Sequence, residues 1–500
     1  MEFSSKKAVL TIFSIFSLFC LFLYRYVSVG LVTNNGEITK NELLITSEQT
    51  ILVGKIDNYE ITRKELEQRL ISQFQPNPYQ LYTEQTKPVD ANSMLLLMMG
   101  EKAVAMDERK QGVLEENENI KRAIDNYRQT QTVNLWIRDN VQKSQDQIVA
   151  TKNEIDKQLK ADPKLDREKA KTAVENAKAN KVLDQEYENL YKKSEVKKIA
   201  ENFLKVVEIH DRLLNHPKTP QTMKFIRESQ ISEDLTEQEK NMILATFSHG
   251  KVTLRDWLLT LCAYAPPSRP QNLNTVKGVE ELLDKALLRP IIAAEVQQIG
   301  LDNNPDYLKR IRNYEDDLLL GNVRKKIFSE VGQPSKEEIA EYFEKNKEFF
   351  MTGRMLKIEQ IWFKDFETAK RVKDEINSGK NFEKMKKEYS LYPDQKASNA
   401  YQNSEGFFWS DLWQGEPDEI IGPIKGFNTK GLNWRIVKIL EKNSGTLQEF
   451  SSNLENNIKS LIIDGQGNKK FTDYCLEILK KYPYEMYPDK IEDIDLTNIR

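Results

Sequence analysis

Apolar and polar residues alternate with period two at only a few places along this chain, and helical spacing governs most of the rest. At residues 51–66 a strand (Ile51-Leu-Val-Gly-Lys-Ile56), an Asp57-Asn58 turn, a short second strand reaching Ile61 and a helix start follow in order. Thr62 and Glu65 have the spacing of a capping box, in which each side chain accepts a hydrogen bond from the other residue's backbone amide. The same design recurs without a gap at residues 245–257. Phe247 falls on Ile56, Val252 on Ile61, Thr253 on Thr62 and Trp257 on Leu66, with Asp256 completing the second cap. This predicts two hairpin-helix units, at 53–70 and 244–261, with superposable backbones. Duplication and convergence both account for them.

Helices are predicted at 94–114, 119–144, 168–190 and 195–214, interrupted by Asp162-Pro163, and then at 280–299 and 305–331. Long, thinly apolar helices of this kind serve either as arms that cradle a partner or as solvated architecture. Ser335 and Glu338 cap a further helix over 334–349. Residues 356–363 alternate as a strand, and Phe366, Ala369, Val372 and Ile376 recur at helical spacing until Gly379 stops the helix. A closing strand is predicted at 434–440, a last helix at 447–481, and an acidic Tyr/Pro-containing tail at 482–500, for which docking and mobility both stay open. The expected fold is α+β and mainly helical: a helical body with short β-hairpins plus a small α/β domain in which strands 356–363 and 434–440 are neighbours.

The amino terminus adds a membrane address. Lys6 and Lys7 precede an uncharged apolar run over 8–24, followed by Arg25. An uncleaved anchor within 1–32 is favoured over a cleaved signal peptide, since no Ala-x-Ala site follows the run. Lysines ahead of the run predict an exported body on the periplasmic side of a bacterial membrane. A lipoprotein reading is disfavoured, because Ser17-Leu-Phe precedes Cys20 where a small residue belongs. Beyond a linker at 33–50 the chain has soluble character, with 30% charged residues and a net charge of -3. Lysine and glutamate are interspersed, so no basic groove for nucleic acid emerges. No P-loop or dinucleotide fingerprint calls for a nucleotide. Cys262 and Cys475 read best as buried free thiols, with a disulfide the alternative in an exported protein. The histidines and cysteines lack metal-ligand spacing: His210 and His216 flank a helix end, and His249 sits in a hairpin turn. No cofactor is expected.

One segment carries a family likeness. After Gly379, the run Lys-Asn-Phe382-Glu-Lys-Met385-Lys-Lys-Glu-Tyr389-Ser390 resembles the signature of parvulin-type prolyl isomerases. Ser404-Glu-Gly406 resembles a degraded form of their glycine-rich turn. Glu419-Ile-Ile-Gly422-Pro423-Ile424 and Asn433-Trp434-Arg435-Ile-Val-Lys-Ile439 are similar to their last two strands. The unit at 53–70 resembles the amino-terminal region of SurA-type periplasmic chaperones. The order of the parts implies a SurA-like helical chaperone region over 51–332, a lead-in helix at 333–350, a parvulin-like domain at 351–442 and a carboxy-terminal helix and tail at 443–500.

The resemblance also implies a site. The two facing histidines of the family fall on Gln360 and Arg435, and the cysteine or aspartate between them falls on Tyr392; all three positions are substituted. A rotamase must bind a twisted imide better than the planar one. Gln360 cannot titrate, and Arg435 is a permanent cation. The stretch between Gly406 and Gly422 is too short for the helix that carries the family's proline pocket. What remains there is aromatic, and Phe407, Phe408, Trp409 and Trp413, with Trp362 and Trp434, are the candidate peptide-binding residues. For Trp409 and Trp413, core and recognition surface are equally open; Phe363, Phe382 and Tyr389 are expected in the core. The leading expectation is a membrane-anchored exported chaperone that holds unfolded or proline-containing polypeptides, with little or no rotamase activity. An active prolyl isomerase and a scaffold subunit with one fixed partner are the alternatives.

Overall fold

The computed structural model describes residues 51–77, 88–162, 164–216, 224–428 and 431–494. The fold is α+β and mainly helical, with four small antiparallel sheets. The expected anchor and linker lie outside the described residues, and among those described no helix is long and apolar enough to cross a membrane. The chain divides into two compact units, one holding Lys121–Tyr314 and the other joining Thr39–Ile120 to Glu315–Arg500.

In the unit formed by the two chain ends, Leu52–Ile56 pairs with Tyr59–Thr62 as a hairpin, and the helix Arg63–Ser72 follows behind the Thr62–Glu65 capping box. A third strand, Tyr484–Met486, returns from the far end of the sequence and pairs with the open edge of Leu52–Ile56. This settles the tail's open alternatives in favour of docking up to residue 494. Val53, Ile56, Ile61 and Leu66 pack with Leu95 and Met99 from the helix Ala91–Lys110 and with Phe471, Cys475 and Ile478 from the helix Ser452–Leu479. The two helices meet at Gly100, where an added Cβ would lie 2.9 Å from the Cys475 backbone. Beside this core the buried carboxylate of Asp316 accepts from Lys102 Nζ and Arg109 Nη1, both at 2.8 Å, and from the Tyr59 hydroxyl at 3.3 Å. Three donors around one carboxylate satisfy a charge that burial would otherwise make costly.

The unit Lys121–Tyr314 repeats the hairpin. Ile243–Phe247 and Gly250–Thr253 pair as Ile243↔Thr253, Ala245↔Val252, Thr246↔Lys251 and Phe247↔Gly250. The first hairpin pairs as Leu52↔Thr62, Gly54↔Ile61, Lys55↔Glu60 and Ile56↔Tyr59, so the register, and the irregularity one residue into it, coincide. Thr253 and Asp256 form the matching capping box, and Trp257 takes the buried place of Leu66. The turns differ at one point: Asp57 adopts a left-handed backbone (φ 48°), which among described non-glycine residues recurs only at Glu195 and Asp418.

The likeness extends past what the sequence predicts. Lys197–Lys198 pairs with Thr246 and Ala245, just as Glu485 and Met486 pair with Lys55 and Gly54. Ile199 N then donates to Leu244 O as Tyr487 N does to Val53 O. This corrects the helix expected over 195–214. The helix Arg167–Lys193 ends first, Glu195 turns with φ 48°, and the helix resumes only at Phe203–Leu214. A sheet edge needing partners overrode helical spacing there. Two smaller corrections have similar causes. The helix expected over 94–114 stops at Lys110, with Gly112 at φ 78°, and the last helix starts at Ser452 because Thr446–Leu447 pairs with Met351–Thr352.

Trp257 anchors the second core: it is fully buried, its Nε1 donates to Val279 O at 3.0 Å, and His210 packs edge-on against its ring. Burial lowers the His210 pKa, so the ring is a neutral core residue. His216 lies 3.7 Å from Asp234, and His249 occupies the hairpin turn. Cys262 and Cys475 are both free thiols, the first half-buried and the second buried. Among the described residues no group of side chains is arranged to hold a metal ion.

Two predictions follow from the packing. Gly100→Val should lower stability by about 1–3 kcal/mol, because the added side chain meets backbone that cannot yield as a rotamer would. An unchanged urea midpoint would show that this helix crossing is not tight. Thr62→Ala and Thr253→Ala should each cost about 1 kcal/mol, the ordinary loss of an N-cap. Unequal effects in chemical denaturation would argue against equivalence of the two units' hairpins.

Candidate functional site

The candidate site is built on a four-stranded antiparallel sheet in the order Ser398–Ala400, Met355–Phe363, Gly431–Asn443, Ile420–Asn428. The two expected strands are its central pair. Side chains alternate between the faces of a sheet, and each face has its own cover. Ile361, Phe363 and Ile436 meet the helices Phe366–Asn377 and Phe382–Tyr389 through Ala369, Val372, Phe382 and Met385. Leu356, Ile358, Val437 and Ile439 meet Trp409 and Leu412 of the short helix Trp409–Trp413. Phe363 and Phe382 are buried, and Tyr389 packs half-buried against the first cluster.

Register places the matched residues. Arg435 lies opposite Trp362 and Val437 opposite Gln360, so Gln360, Trp362 and Arg435 share the face that carries Trp409. Arg435 is 1% exposed, which makes the fate of its charge decisive. Its Nη1 donates to Gln360 Oε1 at 2.7 Å, its Nη2 to Glu405 Oε2 at 2.6 Å, and its guanidinium lies 5.2 Å from the centre of the Trp362 ring. Gly426 makes the room, since a Cβ there would stand 2.4 Å from Arg435 Nε. The cation is therefore neutralised within the domain. Tyr392 lies apart from this pair: its hydroxyl donates to Asn428 Oδ1 at 3.3 Å, and its amide donates to Ser390 Oγ. Trp362 is buried and donates from Nε1 to Gln395 Oε1 at 2.9 Å.

The other candidate aromatics gather elsewhere. Phe407, Phe408, Trp409, Trp413 and Trp434 line one cavity of about 1360 Å³, together with Phe74 from the end of the first hairpin-helix unit. Phe74 stacks on Phe408 at 5.8 Å and meets Phe407 edge-on at 6.1 Å. Trp409 and Trp413 stack at 5.2 Å, and the Arg354 guanidinium caps Trp413 at 4.1 Å. Trp409 is buried in the sheet's second core and Trp413 is half-buried, and both contribute to the cavity wall. Trp362 is not among the lining residues. Sequence reasoning missed Phe74, Arg354 and Asp411 in this wall, and Glu405 in the charge network. Glu405 left a trace as part of the Ser404-Glu-Gly406 turn, and Asp411 as a polar neighbour of Trp409 and Trp413.

Chemically, the matched positions present an amide and a guanidinium already bonded to each other, and the neighbouring cavity presents ring faces and edges. Such surfaces suit apolar and aromatic side chains of an extended chain.

No known family model matches the sequence, and no curated protein matches it. Among solved structures the chain is similar to a SurA-like chaperone of Campylobacter jejuni, at 14% identity and a TM-score of 0.24, over 49% of this chain and 100% of that one. It is also similar to the peptidylprolyl isomerase PrsA of Bacillus cereus, at 15% identity and a TM-score of 0.20, over 51% of this chain and 97% of that one. For the foldase PrsA of Streptococcus pneumoniae the values are 17% and 0.21, over 40% and 75%. Likenesses this distant assign no residue a role.

The buried pair yields a test. Glu405→Ala should destabilise the domain by about 3–5 kcal/mol by stranding the Arg435 cation, whereas Arg435→Met combined with Glu405→Gln should recover most of the loss. Equal losses in the single and double variants, measured by denaturant unfolding, would mean the network is not acting as a charge pair.

Proposed function

We propose that this protein is an exported, membrane-anchored holding chaperone of the SurA and parvulin kind, whose parvulin-like domain over 351–442 binds unfolded or proline-containing polypeptide without catalysing X-Pro isomerisation. One observation carries the reading. The positions matched to the family's histidines form a closed Gln360–Arg435–Glu405 network, while an aromatic cavity stands open beside the same sheet. Catalysis of imide rotation needs groups that stabilise the twisted form more than the planar one. Arg435 directs Nη1 to Gln360 Oε1 and Nη2 to Glu405 Oε2, and only its buried Nε has no partner, so most of the cation's donors are turned to groups within the domain. Holding requires only apolar surface, and an unfolded exported chain offers apolar side chains that would otherwise aggregate. The apolar run over 8–24 supports anchoring, and the lysines before it support export of the body.

Purified protein should therefore suppress aggregation of an unfolded exported protein and leave the rate of X-Pro isomerisation in a model peptide unchanged. Because the uncatalysed reaction takes about tens to hundreds of seconds, even weak catalysis is readily seen. Phe407→Ala combined with Phe408→Ala should weaken aggregation suppression several-fold. Robust isomerase turnover lost on Gln360→Ala would replace this reading with the active-enzyme alternative. Capture of one stoichiometric partner, with no suppression of aggregation, would favour the scaffold.

A further inference from the structure

Charges on the cavity wall are almost all accounted for within the protein. Glu338 accepts from the Ser335 amide as part of a helix cap, Glu341 pairs with Lys345 at 2.5 Å, and Glu348 lies 3.9 Å from Arg354. Of the cations, Arg354 sits on the Trp413 ring and Lys425 lies 5.0 Å from the centre of the Trp434 ring. Asp411 is the exception. It lies between Trp409 and Trp413 in sequence, lines the same cavity, and has no hydrogen-bond or ion-pair partner among the described residues. The cation whose field reaches it, Arg435, is already held by Glu405 and Gln360. Asp411 remains accessible, yet partial burial of its carboxyl pushes its pKa up, and Arg435 only partly offsets this.

A carboxylate that is partly desolvated and unpaired, on a wall of aromatic rings, is complemented most strongly by a cation that also carries apolar surface. We infer that the cavity selects polypeptide segments that carry a lysine or arginine beside apolar residues, with Asp411 accepting the cation. The inference rests on the cavity being the polypeptide site proposed above and adds its specificity. Long cationic side chains fit such a wall because their methylene stems pack on rings while the charged head reaches the acceptor. The charge-assisted bond to the carboxylate then supplies direction that ring contacts lack.

The test uses the full chain and fluorescence anisotropy with two short fluorescein-labelled peptides, which alternate apolar residues with lysine in one and with glutamine in the other. Wild-type protein should bind the lysine peptide roughly two- to fivefold more tightly, within the range for an accessible ion pair, and the preference should shrink with added salt. Asp411→Asn, which keeps the side-chain shape, should abolish the preference by weakening the lysine peptide alone. Glu337→Gln, which removes a carboxylate from the lead-in helix outside the cavity lining, should leave the preference intact. A preference that survives Asp411→Asn, or is lost equally in Glu337→Gln, overturns the inference. Equal binding of both peptides by the wild type also overturns it but leaves the cavity reading in place. Binding of neither peptide defeats the cavity reading itself.

Discussion

The structure of the second unit depends on the chain's far end returning to its beginning. Leu52–Ile56 has two edges of backbone donors and acceptors, and its hairpin partner satisfies only one of them. Tyr484–Met486 supplies the other, and the helix before it crosses Ala91–Lys110 closely enough that position 100 admits no side chain without movement of backbone. Without that last helix and strand, Val53, Ile56 and Leu66 lack the surface supplied by Phe471, Cys475 and Ile478. Loop-closure entropy rises only slowly with loop length. An entire α/β domain can therefore stand between the hairpin and its closing strand at little additional cost, and the sheet that carries the candidate site occupies that interval.

Within that domain the decisive constraint is one buried cation. Arg435 at 1% exposure is tolerable only with Glu405 and Gln360 in place, and Gly426 must stay small to admit it. These residues form a mutually dependent set, in which both guanidinium Nη atoms have acceptors while the buried Nε has none. A group that has spent its hydrogen bonds within the fold has little left for a reacting imide. Rings differ in this respect, since an aromatic face loses nothing by being exposed to a partner and gains when water is displaced. The contrast between a polar network that does not line the cavity and the ring-lined wall beside it is the physical ground for reading the domain as a binder.

What the sequence made legible was local or periodic. The two hairpins, their caps and even their common register follow from alternation and from Thr-x-x-Glu and Thr-x-x-Asp spacing, which act over a few residues. The central strand pair of the site, and with it the juxtaposition of Gln360 and Arg435, follows from two alternating runs and the matched positions. Illegible features depended on distant partners. Lys197–Lys198 has no alternation to betray a strand, and Tyr484–Met486 is too short to announce one; both exist because a hairpin edge needs pairing. Glu405 matters only because Arg435 is buried, and Phe74 only because its ring meets Phe407 and Phe408 across a long sequence separation. Trp409 and Trp413 could not be sorted in advance because one short helix buries the first ring and half-exposes the second.

The repeated hairpin also says what specifies the module. In one unit the closing strand follows the hairpin at the end of the chain, and in the other Lys197–Lys198 precedes it, yet both pair in the same register and on the same edge. Chain order therefore does not determine the arrangement. Hairpin, cap and the buried residue at the Leu66 or Trp257 position do, since these are what the two units share before their surroundings diverge. That position holds leucine in one unit and tryptophan in the other. The larger ring brings an Nε1 donor that must find an acceptor, and Val279 O provides it from the helix that follows. A module defined by edges and caps, indifferent to the direction from which its third strand comes, tolerates a long stretch of chain between hairpin and closing strand, and the ring-lined domain lies in that stretch.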